Sequence, residues 1–202
     1  MKLLTFRSEG VARIGAYADG LAVDLHTAFT ALLESKGKLR ARQIAEAYIP
    51  NDMNGFLEGG KESMEYAKEA VDYALKVKTD KERRLVFPAE EVKLEAPVPK
   101  PGKMICVGHN YKEHILEMKR ELPPYPVVFA KFANTVIGPQ DDIPFLPISE
   151  QLDYEGEFAF VIGKKARNVS QEEALDYVAG YTIVNDVHVP GYSAQNIAMA
   201  SR

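Results

Sequence analysis

The first twenty-five residues alternate short apolar-rich runs with tight polar breaks. KLLTF, VARIGAY and LAVDL are parted by SEG and ADG. This pattern predicts a small antiparallel sheet joined by turns. Two helical patterns follow, one near residues 27–35 and one over 62–76. In the second, Ala67, Ala70, Val71, Ala74 and Leu75 share a stripe that reads as a packing face. The intervening IPNDMNGFLEGG is rich in turn formers. VKTDKERRLVFPAEEVKLEAPVPKPGK is first charged and then proline-rich, which predicts a linker over 78–102 between an N-terminal domain (1–77) and a second domain (103–202).

From Lys103 onward the pattern is strands joined by long loops: MICVG, VVFAKF, EFAFVIG and GYTIVND. Ser170 and Glu173 form an S-x-x-E capping box ahead of ALDYV, predicting a helix over 171–178. The fold class that follows is α+β. Among 202 residues, 46% are hydrophobic and 27% charged, enough for one sizeable core or two small ones. A net charge of −4 leaves no electrostatic footprint for nucleic acid or an anionic membrane, so neither is expected as a partner. The single cysteine, Cys106, excludes an intramolecular disulfide framework and a thiolate metal cage, and its apolar run reads as a buried, inert thiol. MKLLTFRSEG does not read as a signal peptide, and no apolar run approaches the roughly 18 residues of a membrane span, so the cytoplasm is the expected location.

Three sets of residues could carry chemistry. In LDYEGEFAFVIGK, Asp153, Glu155 and Glu157 fall at alternate positions, and side chains two apart on a strand share a face. Asp186 ends the next strand pattern. Converging carboxylates suit a hard divalent cation such as Mg²⁺ or Mn²⁺. E-x-E alone reads rather as a strand edge with its polar face in water, and Asp186 at the end of a second apolar strand is what raises the metal reading beside it. In GHNYKEHILEM, His114 and Glu117 are three apart, hence on one face of a helix. The carboxylate could orient the imidazole for proton transfer, or the two could be a surface pair. Lys131 in VVFAKF needs an anion or a path to solvent: it could meet a substrate carboxylate, or snorkel. His26 and His109 show no partner pattern and read as structural. The adjacent aspartates of IGPQDDIPFLP read as turn chemistry. G-x-S-x-G, G-x-G-x-x-G and Walker sequences are absent.

Taken together, the lead-in LEAPVPKPGKMICVG, ICVGHNYKEH, VVFAKFANTVIGPQDDI, LDYEGEFAFVIGKKARNVS and EEALDYVAGYTIVNDV resemble the fumarylacetoacetate hydrolase family, over about residues 92–187 in unbroken order. The resemblance implies a small, variable N-terminal domain followed by a mixed β-roll catalytic domain, incomplete at its C-terminus. It implies Mg²⁺ or Mn²⁺, with Ca²⁺ as a further candidate, held by Glu155, Glu157 and Asp186. It implies a His114–Glu117 proton-transfer pair on a lid helix and a strand lysine at Lys131. It further implies a homodimer acting on a small 2-oxo or 2-hydroxy-dienoic acid through a metal-stabilised enolate. Carbon–carbon hydrolysis, decarboxylation and isomerisation remain open, as in acylpyruvases, oxaloacetate decarboxylases and 2-hydroxyhepta-2,4-diene-1,7-dioate isomerases.

The resemblance stops at Val187, where HVPGYSAQNIAMASR replaces the family's continuation. Codons for His188–Ala200 read one base later permit Thr-Ser-Arg-Asp-Ile-Gln-Arg-Lys and a forced Trp, so a frameshift or truncation after Val187 is expected. The alternative to an enzyme is then a non-catalytic fragment that needs a partner chain to fold, or a binding module.

Overall fold

A computed structural model describes residues 1–144, 147 and 149–189; the tail from Pro190, and Phe145, Leu146 and Ile148, lie outside the described residues. The chain divides into two compact units, Met1–Asp141 and Asp142–Arg202.

In the first unit, β1 (Lys2–Ser8), β2 (Val11–Ala18) and β3 (Leu21–Asp24) form the expected antiparallel meander. Both connections are two-residue turns with positive φ throughout: Glu9 and Gly10 at 52° and 78°, Asp19 and Gly20 at 50° and 78°. That is the type I′ geometry whose twist matches the strands it joins. The chain then forms α1 (Leu25–Ser35), α2 (Ala41–Tyr48), α3 (Met53–Glu58) and α4 (Gly60–Val77). Part of the stretch expected to be turns is therefore the short helix α3, capped by Asp52, whose side chain accepts from the Gly55 N–H. On α4 the buried residues are Ser63, Ala67, Ala70 and Ala74, so most of the predicted stripe is the packing face. It closes a core with Ile14, Val23, Leu25, Phe29, Ile49, Phe56 and Leu85.

Residues 78–102 are folded rather than extended. β4 (Thr79–Asp80) and β5 (Arg83–Arg84) pair with each other, while β6 (Val86–Pro88) and β7 (Lys93–Glu95) complete a five-stranded sheet of order β6-β3-β2-β1-β7. The reason is burial: Leu85, Val86, Phe87 and Val92 bury their side chains despite the charged residues around them. β8 (Met104–Gly108) and β9 (Val127–Lys131) then form an antiparallel ribbon, with α5 (Lys112–Glu117) between them. The IGPQDD segment is a turn, as expected. Asp141 accepts from the Gly138 N–H at 2.8 Å and pairs with Lys93, while Gln140 accepts from the Leu94 N–H.

The second unit is built on one antiparallel ribbon, β10 (Gly156–Ile162) against β11 (Val178–Asn185). The capping box forms, with Ser170 Oγ accepting from the Glu173 N–H at 3.3 Å. It opens only a 3-10 turn over Ala174–Tyr177, because the chain enters β11 at Val178 and leaves no room for further helical turns. Among the described residues no buried apolar side chain lies beyond Ile115. No helix among them is long and apolar enough to cross a membrane.

Candidate functional site

The carboxylate face is set by strand register. Gly156 opposes Asn185 and Glu157 opposes Val184, and the Asp153–His188 bridge continues the same register. Glu155 therefore stands opposite Asp186, whose N–H donates to the Glu155 carbonyl at 2.7 Å. Directly opposed residues share a face, with Cα atoms roughly 5.5 Å apart in a hydrogen-bonded pair. Glu157 is on the same face, roughly 7 Å further along. The alternation seen in the sequence thus becomes a face bearing Glu155, Glu157 and Asp186 at one end of the ribbon. Glu155 is exposed, while Glu157 and Asp186 are half-buried.

The donors fit a hard cation in chemistry, since all are carboxylates. Their side chains are not drawn into a closed set: among the described residues, no group of three or more His, Cys, Asp or Glu is placed to hold a metal ion. Backbone register supplies the common face, and coordination would require the side chains to turn toward one point. Two further residues belong to this face by register, Asp153 and His188. The Nδ1 of His188 is buried without a hydrogen-bond partner. Its place two residues after Asp186 was the available sequence signal, and the lack of a motif hid it.

In the first unit α5 carries the proton-transfer candidates. His114 Nδ1 lies 3.9 Å from Glu117 Oε2, with side chains 58% and 84% exposed. The helix does bring the pair to one face, at ion-pair rather than hydrogen-bond distance. Lys131, half-buried, closes β9 opposite Met104. Cys106 is a free, half-buried thiol on β8. His26 is structural as expected, its Nδ1 lying 2.7 Å from the Ile49 carbonyl oxygen. His109, also read as structural, has a partner that the sequence did not disclose: Arg120 Nη1 lies 3.1 Å from its Nε2.

Residues 103–195 match the family model described as fumarylacetoacetate (FAA) hydrolase C-terminal. The chain therefore carries a domain of the fumarylacetoacetate hydrolase family. Among curated relatives, the mitochondrial oxaloacetate tautomerase fahd2 of Xenopus laevis is 36% identical over 155 residues, 77% of this chain and 46% of that protein. Oxaloacetate tautomerase YisK of Bacillus subtilis (strain 168) is 41% identical over 143 residues, 69% of this chain and 47% of that protein. The chain spans about half the length of these relatives. Among solved structures, a fumarylacetoacetate hydrolase from psychrophilic Exiguobacterium antarcticum matches with TM-score 0.69 and 29% identity, over 98% of this chain and 59% of that one. A maleylpyruvate hydrolase from Sphingobium sp. SYK-6, solved with manganese(II) and pyruvate, matches with TM-score 0.61 and 25% identity, over 95% of this chain and 60% of that one. The mixed α/β fold is thus that of the solved fumarylacetoacetate hydrolase-type structures, of which this chain carries part, and divalent metal use occurs in the family.

Proposed function

We propose that the protein is a divalent-metal-dependent enzyme that enolises a small 2-oxo acid, with oxaloacetate tautomerisation as the reaction to test first. The observation that carries this reading is the register placing Glu155 opposite Asp186 with Glu157 on the same face. The names of the relatives support the substrate class. The manganese and pyruvate of the Sphingobium hydrolase support the metal and the 2-oxo acid.

Glu155, Glu157 and Asp186 would hold Mg²⁺ or Mn²⁺, which when bound would stabilise negative charge on the substrate's 2-oxygen. In keto-to-enol conversion a proton leaves C3 and one arrives at the C2 oxygen, with no other bond made or broken between heavy atoms. His114 would accept the C3 proton, Glu117 would orient the imidazole, and Lys131 would offset the substrate's carboxylate charge. The exposure of His114 leaves it accessible for that exchange.

The test follows the enol absorbance of oxaloacetate with Mg²⁺ or Mn²⁺. His114→Asn should lower kcat/KM by about a hundredfold or more, the usual scale of a lost proton-transfer group. Glu155→Gln, which removes a carboxylate ligand, should lower the metal-dependent rate toward the metal-only background. Rates equal to the metal-only background for the unaltered protein would end the reading. A second reading has an observation of its own. Phe158, Phe160, Tyr181 and Ile183 share one ribbon face and are 64%, 60%, 58% and 81% exposed, as expected of a chain that requires a partner polypeptide. Turnover by the isolated chain would exclude it.

A further inference from the structure

α5 is held between two residues in left-handed backbone conformation, His109 before it and Lys119 after it, both at φ 55°. Neither is glycine, so each conformation needs support from its surroundings. The exit has that support in a Schellman turn: Lys119 N–H donates to the Leu116 carbonyl at 2.9 Å and Arg120 N–H to the Ile115 carbonyl at 3.1 Å. Arg120 then meets the entry residue, its Nη1 3.1 Å from His109 Nε2. Ile115 is the single buried residue of α5, so packing alone holds the helix by one side chain.

A guanidinium can only donate. The contact therefore requires Nε2 of His109 to accept, which is the neutral imidazole with its proton on Nδ1. A second proton would place an N–H on Nε2 and set two cations against each other. Arg120 is the charged group facing His109. The other ionisable side chains of the segment are Tyr111, Lys112, Glu113, His114, Glu117 and Lys119. Among the described residues the ion pair on this segment is His114–Glu117, and neither His109 nor Arg120 enters another.

We propose that His109 and Arg120 are a positioning pair, a proton-sensitive clasp that closes α5 when His109 is neutral and releases it when His109 is protonated. The catalytic consequence rests on the reading of His114 as proton carrier; the clasp does not.

The test is hydrogen–deuterium exchange of the peptide spanning 111–120 in the full chain, corrected for intrinsic rates. It is read at a mildly acidic and at a mildly alkaline pH. Both side chains are exposed, so protection should fall about threefold on acidification, the scale of a charged contact at the surface. His109→Gln, whose amide oxygen accepts at any pH, should stay protected throughout. Arg120→Ala should be poorly protected throughout, and His114→Asn should keep the pH dependence. A pH dependence that persists in His109→Gln, or is lost in His114→Asn, would overturn the clasp, as would full protection of Arg120→Ala at the higher pH. If this exchange pattern is found and oxaloacetate is not turned over, the functional reading fails and the clasp stands.

Discussion

In the N-terminal unit, Asp24→Ala should be the most damaging polar substitution. The side chain is fully buried at the junction of β3 and α1. One oxygen accepts from the Thr27 N–H at 2.9 Å, capping the helix; the other accepts from Thr27 Oγ1 at 2.7 Å and pairs with Arg13 Nη1. Losing an N-cap costs about 1 kcal/mol, and removing one partner of a buried ion pair costs about 3–5 kcal/mol. Both losses fall on one carboxylate, so they overlap rather than add. The Arg13 side chain, 19% exposed, retains some access to water after the pair is broken. The lower end applies: about 3 kcal/mol for Asp24→Ala. Asp24→Asn keeps an oxygen for the Thr27 N–H and should cost about 1 kcal/mol less, the worth of the cap. With a urea m-value of about 2 kcal/mol/M, the alanine variant's midpoint should fall by about 1.5 M. Arg13→Met with Asp24→Asn should cost less than the sum of the single changes, because neither charge is then left buried alone. Urea unfolding followed by helical circular dichroism measures all four. A midpoint shift for Asp24→Ala below about 0.5 M, or an additive double variant, would refute the assignment of the cost to a buried pair.

The carboxyl of Glu34 is held below its ordinary value of 4.5 chiefly by the hydrogen bond from Arg83, then by that from Lys81. A folded pKa below the unfolded one gives stability that is present above the unfolded value and lost as pH falls through the folded one. The urea midpoint should therefore drop on acidification below pH 4.5, and Arg83→Ala should shrink that drop; an unchanged acid slope would contradict it. If Glu155, Glu157 and Asp186 hold a cation, Mn²⁺ at 100-fold over its dissociation constant should stabilise the chain by about 2.7 kcal/mol. Asp186→Asn should abolish the thermal shift, and an equal shift in that variant would place the ion elsewhere.

The meander was legible because its turns are encoded locally: Glu-Gly and Asp-Gly between alternating strands leave few other geometries. α4 was legible from its alanine stripe. The segment 78–102 was not, because what orders it is long-range pairing of β6 with β3 and β7 with β1, and its proline and charge content reads locally as linker. The capping box at Ser170 shows the opposite failure. The local signal is obeyed, but a helix also needs length, and β11 takes the residues it would have used. At the candidate site, period two within β10 was visible, whereas the strand opposing it was not. A single chain's alternation says that Glu155 and Glu157 share a face. Only register says that Asp186 joins them, and nothing local links Arg120 to His109 across 11 positions.

Register therefore carries the metal reading, and it can be tested without metal or substrate. Along β10, β11 and the residues that continue their register, the hydrogen-bonded pairs lie on the carboxylate face, as the Asp153–His188 and Glu155–Asp186 bonds show. The alternate, non-hydrogen-bonded pairs, which include Phe158 opposite Ile183, lie on the other face. Non-hydrogen-bonded partners bring Cβ atoms within about 4.5–5.5 Å, near the range a disulfide spans without moving the backbone. Phe158→Cys with Ile183→Cys should oxidise readily to an internal disulfide, seen as a linked peptide after digestion without reductant. Phe158→Cys with Val184→Cys should not, because residue 184 points to the opposite face. Cys106 is present in both variants and serves as the background for mispairing. If instead the second pair cross-links and the first does not, β11 is shifted by one residue. Asp186 then faces away from Glu155 and Glu157, and the carboxylates cannot serve one ion from one face of this ribbon.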